Sequence, residues 1–132
     1  SNFNAVLRML DILLTFVHLV IIFINLFGWI WYKIRRLHLW VVAATTISWL
    51  GLGIWYGWGY CPITDWQWRV KERLGERNLP NSFIKYYADK LTGRHFDPHT
   101  IDMITGGTFI LVALLSVYTN FFLKRHKKAR SV

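Results

Sequence analysis

The stretch that decides the fold is residues 9–32, MLDILLTFVHLVIIFINLFGWIWY. It runs for about 24 residues, and a helix needs roughly 20 to cross the hydrocarbon core. It is apolar around its whole circumference, apart from Asp11, Thr15, His18 and Asn25. A soluble core helix of this length would carry a polar stripe. The same reading applies to residues 37–60, LHLWVVAATTISWLGLGIWYGWGY, which hold no Lys, Arg, Asp or Glu. It applies again to residues 101–123, IDMITGGTFILVALLSVYTNFFL, whose only charge is Asp102. The expected fold is therefore all-α and integral to a membrane, with three transmembrane helices in one domain. The apolar stretch of the first run exceeds the roughly 7–15 residues of a leader and no small-residue cleavage site follows it, so it reads as a span and not as a cleavable signal.

Residues 61–100 differ in kind. Pro62 stops the second span. Thr64 with Gln67 three residues on has a capping-box pattern opening a short helix that ends at Gly75. Trp66, Val70 and Leu74 recur along one of its faces, among Arg69, Lys71, Glu72 and Arg73. Pro80 and Asn81 or Ser82 open a second short helix, ending at Gly93, with Phe83, Ile84, Tyr87, Ala88 and Leu91 on one face. Both are too short and too charged to span, and the expectation is two amphipathic helices lying in the interface. Asp97-Pro98 reads as an N-cap followed by proline at the first helical position, starting the third span.

The 132 residues are 54% hydrophobic, 17% charged and 17% aromatic, which excludes a disordered chain or a disulfide scaffold. Sixteen Lys+Arg against seven Asp+Glu give a net charge of +9, and their positions speak to orientation. Lys33, Arg35 and Arg36 lie in the loop between the first two spans. Lys124, Arg125, Lys127 and Lys128 lie in the basic tail 124–132, on the same side and without acidic neighbours. The other side carries as many basic residues, Arg8 and seven in the long loop, but these are diluted with acids over a longer stretch. Density close to the membrane places the C-terminus in the cytoplasm and loop 61–100 outside it, periplasmic in a bacterial inner membrane. The expected partners are the bilayer and its anionic head groups, not nucleic acid.

Ionisable groups within a span are costly and are candidates for function. Asp11, His18 and Asn25 are spaced seven apart, so they share one face of the first helix, about 10 Å per step. Asp11 and Asp102 sit in the first turn of their spans, where the helix dipole favours a carboxylate. Two readings stand for His18: an imidazole hydrogen-bonded to a neighbouring helix, or a proton, metal or cofactor site. His38 opens the second span at the opposite membrane face from where His18 enters, so a bis-histidine haem within one chain is disfavoured by height. A metal site has no ordered ligand motif. Asn120 is a further intramembrane polar group. Gly53 and Gly57 form G-x-x-x-G, which allows close helix approach, and the tryptophans near both span ends suit interfacial belts. The lone Cys61 cannot close an intrachain disulfide. There is no phosphate loop and no nucleophile set, and no residue pattern names a cofactor.

The order of several residues resembles a known family. His18-Leu19 with Gly28 ten residues on, His38-Leu39, Trp49, Cys61-Pro62-Ile63-Thr64, then Phe83-Ile84 before a Tyr is similar to the small bacterial membrane proteins grouped as domain of unknown function 2784, over about residues 8–123. Cys61, Pro62 and Thr64 carry its most specific part. Gln67 stands where the pattern often has an acid, Tyr86 where it often has His, and Gly51-Leu52-Gly53 where an acid is expected. The resemblance implies the architecture and no reaction. From size, polar groups that need partners and the lack of a catalytic set, the expected function is a non-catalytic accessory or interaction subunit of a larger membrane assembly, with other membrane subunits or a second copy as partner. The alternative is a haem-, metal- or quinone-binding redox protein using His18, with His38 as a further candidate ligand.

Overall fold

The computed structural model describes residues 2–123, and over them the chain is helical: α1 Asn2–Phe27, α2 Tyr32–Tyr56, α3 Pro62–Arg73, α4 Phe83–Thr92 and α5 Pro98–Phe122. Helices α1, α2 and α5 are long and apolar enough to cross a membrane. The side chains they leave outside the bundle include Ile12, Phe16, Ile110, Leu114 and Phe121, as contact with hydrocarbon requires. Helices α3 and α4 gather at one end, called here the capped end; the α1–α2 loop marks the other. The basic tail, with Lys124, Arg125, Lys127 and Lys128, lies outside the described residues.

The three spans match the expected ones with shifted bounds. Helix α1 begins seven residues before Met9 and stops at Phe27, because the chain turns at Gly28. The indole of Trp29 donates to the Leu26 carbonyl (2.8 Å), and Arg35 Nε donates to the Trp29 carbonyl (3.0 Å). Arg35 thus closes this turn, in addition to any role at the membrane surface. Lys33 and Arg36 lie in the same short segment.

Helix α2 stops at Tyr56, four residues early. Its stretch Ile47–Leu52 is wound as a π-helix, so Trp49 has a carbonyl to offer, which accepts from Gly59 N (3.1 Å). Ser48 Oγ donates to the Tyr60 carbonyl (2.7 Å). The chain therefore folds back along α2, and Gly57 at φ +109° and Gly59 at φ +84° permit the reversal. This corrects the G-x-x-x-G expectation. A Cβ on Gly53 would meet Trp58 of the returning loop, at 3.2 Å from its Cα, while Gly57 ends the helix with nothing within 4 Å. The two glycines serve a turn and not a contact between helices.

The starts of α4 and α5 are as expected. Ser82 Oγ accepts from Lys85 N (3.1 Å), and Asp97 Oδ2 accepts from Thr100 N (2.9 Å). Gly93 closes α4 at φ +72°. The start of α3 is different: Cys61 occupies the cap position without a side-chain cap bond, and Pro62 takes the first turn. Thr64 does not cap; it is buried in the bundle.

Candidate functional site

Helix α3 does not rest on the bundle through its apolar face. Trp66 is exposed, and the buried side carries Thr64, Gln67, Val70 and Lys71. Thr64, Gln67 and Lys71 run antiparallel to His18, Thr15 and Asp11 of α1, pair by pair. Lys71 Nζ reaches Asp11 Oδ2 at 3.0 Å and Glu76 Oε2 at 3.4 Å. Gln67 Nε2 donates to Asp11 Oδ1 (2.8 Å) and to Thr15 Oγ1 (2.6 Å). Thr15 in turn donates to the Asp11 carbonyl (2.9 Å), so the Tyr87 hydroxyl 2.9 Å away is the donor to Thr15. Three helices thus meet in one polar network.

Lys71 has only 2% of its side chain exposed. Burial alone pulls its pKa down, but the hydrogen bond and charge of Asp11 outweigh that and hold it above the ordinary lysine range. The rings of Tyr86 and Tyr87 add to this, with centroids 4.8 and 5.8 Å from Nζ. The Tyr86 hydroxyl donates to Glu76 Oε1 (2.5 Å); burial first, then that bond, push its pKa up. Asp11 is therefore not a capping residue. It lies in the third turn of α1, because the helix starts earlier than its apolar run, and it is the counter-ion of a buried lysine. Reading the sequence missed Lys71, Gln67, Glu76 and Thr15. Their signal was two matching polar stripes, 11-15-18 and 64-67-71, of which the first alone reads as an intramembrane polar face and the second as the wet side of a short helix.

One turn deeper along α1, His18 stacks on Phe83 (centroids 3.9 Å apart, planes at 26°), and its Nδ1 lies 3.4 Å from Thr64 Oγ1. Its Nε2 has no hydrogen-bond partner among the described residues. His18 lines a cavity of about 330 Å³ to which all five helices or their loops contribute. Trp49, Trp58, Cys61, Asp102 and Thr105 lie on its wall. Asp102 does not cap α5, since Asp97 does. Its carboxylate has no ion pair or hydrogen bond among the described residues.

The remaining predicted residues form a second layer near the short-loop end. His38 is fully buried and its Nε2 donates to the Asn25 carbonyl (2.8 Å). Asn25 Nδ2 reaches the Ile21 carbonyl (3.2 Å) and Thr45 Oγ1 (3.3 Å). Asn120 Nδ2 donates to the carbonyls of Arg35 (2.9 Å) and Ser116 (2.8 Å), joining α5 to α2. His38 is thus level with Asn25, seven residues and about 10 Å along α1 from His18. The two histidines are not brought together. Among the described residues, no three His, Cys, Asp or Glu side chains are gathered as metal ligands.

The signature residues fall into these two layers: Gly28 and His38 in one, and His18, Cys61, Pro62, Thr64, Phe83 and Tyr87 around the other. A family model described as "Protein of Unknown function (DUF2784)" matches residues 8–121. The chain belongs to this family. No curated protein and no solved structure matches it. In this member of the family, Gln67 and Tyr86 sit in the Asp11–Lys71–Glu76 network, so the polar side chains at those positions bind the cap to α1.

Proposed function

We propose that the chain is a non-catalytic accessory or interaction subunit of a larger membrane assembly, seated in a bacterial inner membrane. One observation carries this reading. A set of polar and charged groups at the capped end is engaged internally: Lys71 with Asp11 and Glu76, Gln67 with Asp11 and Thr15, Tyr87 with Thr15. They fasten α3 and α4 to α1 and hold a fixed surface above the spans, which suits docking better than turnover. Lys33 and Arg36 at the short-loop end, with the basic tail that follows α5, favour that side as cytoplasmic and the cap as periplasmic. The partners in this reading are anionic lipid and other membrane subunits or a second copy.

Purification in a mild detergent, after cross-linking in the native membrane, tests this. A fixed partner, or a stable homo-oligomer, at defined stoichiometry is the expected result. A chain recovered only as a monomer with no cross-linked neighbour overturns it. The orientation has its own test: Cys61 should react with an impermeant thiol reagent from outside, and labelling only from the cytoplasmic face reverses it.

A second reading has one specific observation behind it, the unpartnered Nε2 of His18 at the cavity wall. It makes the chain a redox protein holding a haem, a metal or a quinone at His18. A Soret band, stoichiometric metal or a redox-active quinone that disappears in His18→Ala would establish it. The separation of His18 from His38 leaves haem only one axial histidine from this chain.

A further inference from the structure

The cavity at His18 has a carboxylate on its wall, Asp102, that the accessory reading does not use. Asp102 is the fifth residue of α5, a 25-residue helix, so that helix is about 37 Å long against a hydrocarbon core of roughly 30 Å. The Asp102 carboxylate therefore lies close to the boundary between head groups and hydrocarbon. Asp102 is exposed there, so its carboxylate is open to a cationic group that arrives at head-group level. Of the cations near the capped end, Lys71 pairs with Asp11 and Glu76, Lys85 with Asp89 and Arg69 with Asp65, and no ion pair among the described residues reaches Asp102. Asp102 has neither ion pair nor hydrogen bond among the described residues.

The rest of the wall has the chemistry that accepts an organic cation. Trp49 and Trp58 line the same cavity, and indole faces attract ammonium groups that have shed water. Trp49 lies within the π-helical stretch Ile47–Leu52, and such irregular turns recur at functional sites. Gly106 also lines the cavity, and a Cβ there would have nothing within 4 Å. A volume of about 330 Å³ is at the lower end of small-molecule sites. It holds a head group and the first part of a chain. The neighbouring α5 surface, with Met103 and Ile110 exposed, is apolar and continues into the hydrocarbon, where a tail would lie.

We propose that this cavity binds the ammonium head group of a membrane-borne amphiphile, with Asp102 as counter-ion and the indoles of Trp49 and Trp58 as walls.

The test uses the full chain in dodecyl maltoside and a spin-labelled alkyl-trimethylammonium probe, beside an uncharged hydroxyl analogue of the same chain length. The immobilised fraction of the electron paramagnetic resonance spectrum reports binding. Saturable binding of one charged probe per chain is expected, with the neutral analogue at least tenfold weaker. Asp102→Asn should remove that preference, weakening the charged probe about tenfold and leaving the neutral one unchanged. Gly106→Leu should fill the cavity and abolish binding of both, without touching the charge. Circular dichroism confirms that each variant is folded, and Gly106→Leu keeps the test alive if Asp102→Asn does not fold. Equal binding of the two probes, or no effect of either variant, overturns the proposal. So does displacement by tetramethylammonium at the concentration where the long-chain probe binds, since that removes the tail from the recognition. Displacement by a short-chain quinone that depends on His18 and not on Asp102 overturns it in favour of the redox reading. None of these results depends on whether a protein partner is found.

Discussion

Replacing Lys71 by Met asks what fastens the cap. The methionine keeps the unbranched apolar stem, one atom shorter, and removes the ammonium. Asp11, with 19% of its side chain exposed, would then keep Gln67 as donor but lose its counter-ion. Removing one partner of a buried pair costs roughly 3–5 kcal/mol because the other charge is left uncompensated. Asp11 is near enough to water to be partly rehydrated, so the lower end applies, about 3 kcal/mol. Every 1.4 kcal/mol is tenfold, so the population with α3 detached should rise about 100-fold. Cys61 is half-buried at the first position before α3, and its maleimide labelling rate reports that detachment. The rate in Lys71→Met should rise by one to two orders of magnitude, while the helical content holds. Asp11→Asn should do less, because Lys71 keeps Glu76 at 3.4 Å. The double variant Asp11→Asn with Lys71→Met should recover part of the loss, since the only charge then left without Lys71 is Glu76, whose side chain is 36% exposed. A labelling rate within threefold of the wild type for Lys71→Met would refute the reasoning. So would a double variant as damaged as the sum of the two single ones.

Further outcomes follow from the same geometry. Gly28→Ala places a Cβ 2.6 Å from the Ile24 carbonyl and 3.0 Å from His38 Cδ2, and should destabilise by about 1–3 kcal/mol, read as the thermal midpoint in detergent. Asp97→Ala should fray the first turn of α5, seen as faster hydrogen exchange at the Thr100 and Ile101 amides. The backbone N–H of Thr100, then its hydroxyl, hold the Asp97 carboxyl below its ordinary range. The cap is therefore complete above about pH 4 and weakens as the pH falls through the lowered value. Lys71 has the opposite sign: its pKa is raised in the fold, so its contribution is full below about pH 10.4 and is lost as the pH climbs further. The ratio of the Lys71→Met labelling rate to that of the wild type, in which the thiol's own rise in reactivity with pH cancels, should therefore stay high up to that range, and a ratio near one at pH 8 would contradict it.

The spans were readable because hydrophobicity is additive along the chain and three runs exceed the bilayer's requirement. The bounds moved for local reasons. α1 could start at Asn2 because polar residues outside the hydrocarbon are free to be helical, and it gives way at Gly28 to a turn in which a Cβ would meet the Ile24 carbonyl and His38. The caps at Ser82 and Asp97 were readable because the capping bond is made within three residues. The Thr64 cap was misread because the pattern does not record burial, and Thr64 faces His18. The Asp11–Lys71 pair was hidden for a related reason. Its partners are 60 residues apart, and Lys71 sits among Arg69, Glu72 and Arg73, where a charge ordinarily means solvent. The cavity could not be read at all, since it depends on the fold-back after Tyr56 and on the winding of Ile47–Leu52.

Apolar helices in hydrocarbon gain little from hiding apolar surface against one another, so polar contacts and close packing set which faces meet. In this chain α1 carries that information on one side. Asp11 and Thr15 select α3 and α4, His18 selects Thr64 and Phe83, and Asn25 selects α2. The groups left without a partner then divide by access. Gln67 Oε1, His38 Nδ1 and Asn25 Oδ1 are sealed inside the packed layers, where no ligand can reach them without opening the bundle. His18 Nε2 and the Asp102 carboxylate face a cavity. A sealed orphan costs stability and is tolerated because its other bonds hold the helices in register. An accessible one can be satisfied by something that arrives. On the proposal made above, a ligand is expected at this cavity, which all five helices or their loops line. Variants of His38 or Gln67 should alter the melting temperature and the rate of cap opening before they alter the affinity for any ligand.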